Sequence, residues 1–415
     1  MMWKQPWRYS EGWTICGGIL ITGMILQFFS GKISPDLFHS PFNLIFGAVF
    51  LLLLLLFHLV SKKIKGLQWF AGYTAAITSL SSLLLLVIIM GFTRQASSSH
   101  DLSQTNEWFV RMGFRQMTVS WSFILLLLYF LWILGSVVLK RLSRLKWRDV
   151  GFLLNHAGLF IAVFAAFLGS SDLQRMKLTA NLNAPEWRAT NEKNEQIELP
   201  LAIELKSFTI DEYPPKLMLL DNMTGEPLPE KQPKNVSVET CPLTADLLEW
   251  KLEITKYLPS AAAVFNRDTV HYVEYLSEGA TSALYVKAHN INDKTEKEGW
   301  ISCGNHFFPY SSLRLNEKAS LIMPALEPKR FASGIMVYTQ AGETKEATVE
   351  VNNPLSVASW KIYQLSYDEA LGKWSRSSVF ELVKDPWLPV VYTGIIMMIA
   401  GALFMFNSAP PVKRK

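Results

Sequence analysis

The chain has 415 residues, half of them hydrophobic and only 18% charged, with long charge-free runs interrupting otherwise ordinary polar sequence. Its net charge of +5 comes largely from Lys and Arg clusters beside those runs, and no basic patch interleaved with aromatic residues occurs elsewhere. A nucleic-acid-binding role is therefore excluded, and the composition is that of an integral membrane protein with a soluble part.

A membrane-spanning helix needs about 20 mostly apolar residues. Such runs occur at 12–30, 42–60, 68–92, 118–139, 150–170 and 387–406, which predicts six transmembrane helices. The first follows Lys4 and Arg8 as a signal peptide would, but Ser30-Gly31-Lys32 is no small-residue cleavage pattern, so it is read as a retained helix. Cytoplasmic loops are enriched in Lys and Arg. Four clusters fall on one side of a six-helix arrangement: Lys4 and Arg8; Lys62, Lys63 and Lys65; Lys140, Arg141, Arg144, Lys146 and Arg148; and Lys413, Arg414 and Lys415. The expectation is that both termini are cytoplasmic and that loops 31–41 and 93–117 and the stretch 172–386 lie outside.

That last stretch, roughly 210 residues, is long enough for its own core. Here the apolar pattern changes to alternation, as in "LAIELKSFTI" (201–210), "WKLEITKYL" (250–258), "SALYVKAH" (282–289), "GIMVYTQ" (334–340) and "EATVEV" (346–351). Alternation over short runs is the signature of half-buried strands. Breakers such as "DEYPPK", "DNMTGEP" and "NNPLS" separate the runs, and no long amphipathic helix intervenes. The predicted fold class is thus an α-helical membrane protein of six transmembrane helices, with a mostly β extracytoplasmic domain inserted between helices five and six. The domain contains no GxSxG, HExxH, P-loop or CxxC motif. His271, His289 and His306 lack metal-ligand spacing and are read as surface or structural residues. Cys241 and Cys303 could form a disulfide in an oxidising compartment, or serve as thiols, with His306 close to Cys303 in sequence.

One residue stands out inside the fifth run. His156, in "NHAGLF", lies some eight residues beyond Arg148, roughly 12 Å into the helix. An ionisable side chain at such a depth is costly and marks a functional site by default. At 100° per residue, Phe152, Leu159, Phe160, Val163 and Phe167 fall on the face of His156, whereas Gly151, Asn155, Gly158, Ala162, Ala166 and Gly169 form a stripe of small residues. The small stripe is a helix-packing seam. The bulky face suits a flat apolar ligand, and a neutral imidazole is a common axial ligand of haem iron. The competing reading makes His156 a packing residue hydrogen-bonded to a neighbouring helix.

The segment from Val349 to Gly401 resembles the ResB (or CcsB) family of system II cytochrome c biogenesis. The matching residues, in order, are Asn353-Pro354-Leu355, Tyr363-Gln364, Asp385-Pro386, Tyr392 and Gly394. Upstream, "SWSFILLLLYFLWILGSVVLKRL" and "NHAGLFIAVFAAFLGS" are similar to the family's second and third core spans. The element after the first core span departs from the family pattern, reading "MGFTRQ". The resemblance divides the chain into an added pair of N-terminal helices (1–66), three core helices (67–171), an extracytoplasmic β-rich domain (172–386), and a final helix with a basic tail (387–415).

It further implies a multi-pass protein of the bacterial inner membrane with its large domain in the periplasm. The partner would be a CcsA-type membrane protein bearing the tryptophan-rich segment this chain lacks, and the substrates haem and apocytochrome c. Transiently bound haem b would be shared with that partner, in lipid and without nucleic acid. His156 would be the haem-iron ligand, with Phe152 and Phe160 as cofactor walls. The second ligand would come from the partner, or from His58 at the end of the second span. The chain alone would not perform the thioether chemistry, so it would be a non-catalytic or co-catalytic subunit. Two further functions fit the outline: a membrane-anchored ligand sensor or scaffold, for which the cytoplasmic loops are short, and a secondary transporter, for which inverted repeats are absent.

Overall fold

The computed structural model describes residues 3, 5–34, 38–96, 107–266 and 269–408. The basic residues Lys4, Lys413, Arg414 and Lys415 lie outside the described residues. The chain divides into two compact units, Met1–Gln174 with Lys384–Lys415, and Arg175–Val383.

Among the described residues the first unit holds six helices long and apolar enough to cross a membrane: α1 (Tyr9–Ser30), α2 (Phe42–Ser61), α3 (Tyr73–Phe92), α4 (Trp121–Leu142), α5 (Val150–Gly169) and α6 (Leu388–Ser408). The third apolar run is shorter as helix than its sequence suggests. Residues Lys65–Ala71 form a separate 3-10 turn, and the chain is extended at Gly72 before α3 begins. Glu11 closes the start of α1, accepting the backbone N–H of Arg8 at 2.8 Å. Ser120 caps α4, its Oγ accepting the N–H of Phe123 at 3.3 Å.

Small residues set the helix spacing. A Cβ on Gly23 would lie 2.5 Å from Cα of Ser122, so α1 and α4 meet backbone to backbone. The closest pairing joins α5 and α6, which run antiparallel: a Cβ on Gly158 would lie 2.5 Å from the carbonyl oxygen of Gly394, and one on Gly401 2.7 Å from that of Gly151. Asn155 Nδ2 adds a bond to the carbonyl of Met398 at 3.4 Å. The small stripe of α5 is therefore its seam with α6, except for Ala166, which is exposed.

Beyond the far end of α5, Asp172 ties three helix ends together. It accepts the N–H of Ser40 (2.9 Å), Nδ2 of Asn43 (2.6 Å) and Nε1 of Trp387 (2.8 Å). Burial raises its pKa, but these bonds together outweigh burial and hold the carboxyl below its usual range.

The second unit is β-rich. An eight-stranded sheet runs in the order Thr344–Glu350, Pro328–Thr339, Gln196–Glu212, Pro185–Asn191, Gln174–Asn181, Ser377–Lys384, Trp360–Tyr367 and Leu355–Val357. The strand that opens the domain is thus a neighbour of the one that closes it. A second sheet is built on Trp250–Asn266, Thr281–Asn290 and Glu296–Ser302, and a third on Lys216–Asp221 and Ala319–Ile322. All five alternating segments read from the sequence lie largely in strands. Their alternate residues are buried in two cores, one around Leu205, Ile335 and Phe380, the other around Trp250, Leu252 and Leu284. The strands follow α5 and precede α6 in chain order, as the sequence predicts.

Candidate functional site

The start of α5 lies beside the end of α4 because Trp147–Asp149 turns the chain back in a single 3-10 turn. Lys140 and Arg141 stand in the last turn of α4, where cations are favoured by the helix dipole. Between these helices and the start of α3 is a cavity of about 640 Å³. Its wall is apolar along α4, at Phe130, Ile133, Leu134 and Val137, and its rim carries Lys140, Arg141, Arg144, Lys146 and Arg148. Asp149 is the one acidic residue there, and Arg141 pairs with it at 3.3 Å. His156 and Phe152 complete the lining from α5.

The imidazole is held in a defined state. Nδ1 of His156 lies 2.9 Å from the carbonyl oxygen of Phe152. A carbonyl only accepts, so this bond requires the proton on Nδ1, and in the neutral ring the lone pair is then on Nε2. The Phe152 ring stacks on the imidazole with centroids 3.7 Å apart, and the Arg141 guanidinium stands 5.0 Å from the centre of the same phenyl ring. His156 thus does not hydrogen-bond to a neighbouring helix through Nδ1: its partner is one turn back in its own helix, an arrangement that fixes the ring and supports metal ligation through the free nitrogen.

The other residues singled out in the sequence are not gathered here. Phe160 stacks on Phe164 at 5.4 Å within a helical core that also takes in Phe50, Leu131, Val163 and Phe167. It does not line the cavity of His156. His58 lines a separate cavity with Lys62 and Gln68. Among the described residues no three His, Cys, Asp or Glu side chains are grouped as metal ligands. What sequence reading missed is the cationic rim as part of the site: the same Lys and Arg residues were read for topology alone, and only the packing of α3, α4 and α5 brings them to the imidazole.

In the β unit both thiols are free. Cys241 is exposed, whereas Cys303 sits 3.4 Å from Oγ1 of Thr281. His306 pairs instead with the ring of Phe307 at 5.7 Å.

The C-terminal motif residues have local structural roles. Asn353 closes a turn onto the carbonyl of Glu350 at 3.2 Å and leads into the edge strand Leu355–Val357. Gln364 is buried and donates Nε2 to the carbonyl of Ser366 at 3.0 Å, at a register shift between Trp360–Tyr367 and Ser377–Lys384. Residues 312–377 match the ResB-like family model. This ResB-like segment includes Asn353-Pro354-Leu355 and Tyr363-Gln364, so the resemblance read from the sequence holds over that part. No curated protein matches the chain. Asp385 and Gly394 lie beyond the ResB-like segment, and each has a packing reason of its own. Oδ1 of Asp385 accepts the N–H groups of Trp387 and Leu388, both at 3.0 Å, and so caps α6. Gly394 is the counterpart of Gly158 in the seam.

Proposed function

We propose that the chain is the ResB-type subunit of a system II cytochrome c synthase, and that it holds haem b in the cavity beside His156. The observation that carries this reading is the Nδ1 bond of His156 to the Phe152 carbonyl, which leaves Nε2 with its lone pair in a cavity with one apolar wall and a cationic rim. Among the described residues no three His, Cys, Asp or Glu side chains are grouped there, and one imidazole would suit an iron held by a prosthetic group rather than by the protein alone. A volume of about 640 Å³ is within the range of pockets that enclose ligands of this size.

Each lining residue then has a task. Nε2 of His156 ligates, and Phe152 fixes the plane of the imidazole. Phe130, Ile133, Leu134 and Val137 contact the flat apolar face, while Lys140, Arg144, Lys146 and Arg148 pair with carboxylates at the rim. Arg141 is already committed to Asp149 and holds Phe152 from its charged side. Haem supplies the iron and the group later joined to apocytochrome c. His58 lines another cavity, and a second ligand to the iron would come from a CcsA-type partner. Under the Lys and Arg rule, the rim of this cavity faces the cytoplasm of a bacterial inner membrane and the β unit is periplasmic. There the two terminal strands of the eight-stranded sheet, Thr344–Glu350 and Leu355–Val357, would offer backbone pairing to an extended apocytochrome segment.

The test is His156→Ala in the co-purified complex. Haem content and cytochrome c assembly are expected to fall while protein level is unchanged, and added imidazole should restore part of both by filling the vacant ligand position. Normal haem occupancy in a stable variant would overturn the assignment.

A further inference from the structure

The cavity that holds His58 has its own chemistry. It measures about 370 Å³ and lies between the ends of α2 and α4. His58 is only 8% exposed, and its Nε2 is buried with no hydrogen-bond partner among the described residues. Leaving such a group unpaired costs about 1–3 kcal/mol, which points to a ligand that supplies the missing partner. Three cations, Lys62, Lys140 and Arg144, line the same cavity, with no acidic side chain among its lining residues. Lys140 donates to the carbonyl of Ala71 at 3.1 Å. Among the described residues Lys62 and Arg144 form no ion pair.

The hydroxyls of Ser61, Ser136 and Ser143 spend their protons on carbonyls of their own helices, at 2.8, 2.8 and 3.0 Å. What remains to greet a ligand is a set of cations, the amide of Gln68 and one imidazole nitrogen, a donor-rich set that favours a compact oxyanion. Its position narrows the choice. His58 is one turn from the end of α2, and Leu55, Leu56 and Leu59 beside it are exposed apolar side chains. A basic pocket between helix ends, bordered by apolar surface, is the setting in which charged lipid headgroups are recognised.

We infer that the His58 cavity is a phosphate site that takes the headgroup of an anionic phospholipid. Lys62 and Arg144 pair with the phosphate oxygens, Nε2–H of His58 donates the remaining bond, and the acyl chains lie along the leucines of α2. Arg144 also stands on the rim of the His156 cavity, so a lipid bound here holds one of the cations of that rim.

The experiment uses the full chain purified haem-free in neutral detergent, titrated with phosphatidylglycerol, phosphatidylcholine or inorganic phosphate and followed by native mass spectrometry and thermal shift. Phosphatidylglycerol is expected to bind in preference to phosphatidylcholine. Lys62→Gln should weaken it about five-fold, the loss of one lysine beside a phosphate, and His58→Leu should weaken it as well. Lys63→Gln, a neighbour outside the cavity, should not. Inorganic phosphate binding as tightly, with the same sensitivity to Lys62→Gln, would support the phosphate site but overturn lipid as its source. Equal effects of Lys62→Gln and Lys63→Gln, or no preference for the anionic lipid, would overturn the site. Because lipid binding is the readout, the outcome does not depend on haem.

Discussion

The seam between α5 and α6 lends itself to a quantitative test. A methyl group on Gly158 would stand 2.5 Å from the Gly394 carbonyl oxygen, 2.8 Å from the Met398 nitrogen and 3.0 Å from Cβ of Met397. The two closest are backbone atoms, so no side chain can swing aside and the helices must part. Ordinary carbon-to-oxygen contacts begin near about 3.3 Å, so Gly158→Ala requires a shift of roughly 0.8 Å there. Overpacking of this kind costs about 1–3 kcal/mol, in a pairing that relies on close backbone approach for its stability. The reciprocal clash, between a Cβ on Gly394 and the Gly158 carbonyl at 2.6 Å, is relieved by the same movement. Gly158→Ala and Gly394→Ala should therefore each destabilise the purified protein by about 2 kcal/mol, and the double variant by clearly less than their sum. Gly18→Ala in α1, where a Cβ meets nothing within 4 Å, should have the opposite sign, with a gain of up to about 1 kcal/mol from helix propensity. Denaturant or thermal unfolding in detergent measures all four. Additive losses, or a Gly158→Ala protein as stable as the parent, would refute the reasoning.

Asp172→Asn should lower stability at neutral pH by about 2 kcal/mol, the scale of a charge-assisted hydrogen bond. Because the folded carboxyl titrates below its usual value of 3.8, that contribution is complete above this value and is lost as pH falls through the folded pKa. The two proteins should thus converge in acid, and a constant difference from pH 7 to the acid limit would speak against the latch. Cys241→Ser with Cys303→Ser is expected to leave cytochrome c assembly intact under oxidising and reducing conditions, since the thiols are free; a loss in either would assign them a redox task. Reporter fusions at Ser61 and Asn292 should report cytoplasm and the outer compartment respectively, and a cytoplasmic signal from Asn292 would reverse the orientation.

Local pattern made much of this molecule legible. Alternation marked the strands because one side of each faces a core, and the small stripe of α5 marked its seam because only Gly and Ala allow the backbones to meet. The same helical wheel puts Phe160 and Val163 on the face of His156, whereas the structure packs both against the helical core. A wheel gives direction around one helix, not which neighbour fills that side, and here α2 and α4 fill it with Phe50, Leu127 and Leu131. Nor could the sequence reveal the Asp172 latch, whose partners Asn43 and Trp387 are 129 and 215 residues away along the chain. The 3-10 turn at Lys65–Ala71 was hidden for a different reason: its residues continue the apolar run, and hydropathy does not register the extended backbone at Gly72.

The two histidines illustrate how shared walls can separate tasks. Lys140, in the last turn of α4, and Arg144, in the turn just beyond it, border both cavities. On one flank, Phe152 and its carbonyl fix a half-buried imidazole so that Nε2 offers a lone pair. On the other, His58 is surrounded by cations that favour an anion, the setting in which a neutral imidazole serves as a donor. A ligand to iron must offer electrons, whereas a ligand to phosphate must offer a proton, and the same ring nitrogen cannot do both. Among the lining residues, His58 belongs to one of these cavities and His156 to the other. A haem held as proposed at His156 would then take one imidazole from this chain, and the other would come from the proposed partner.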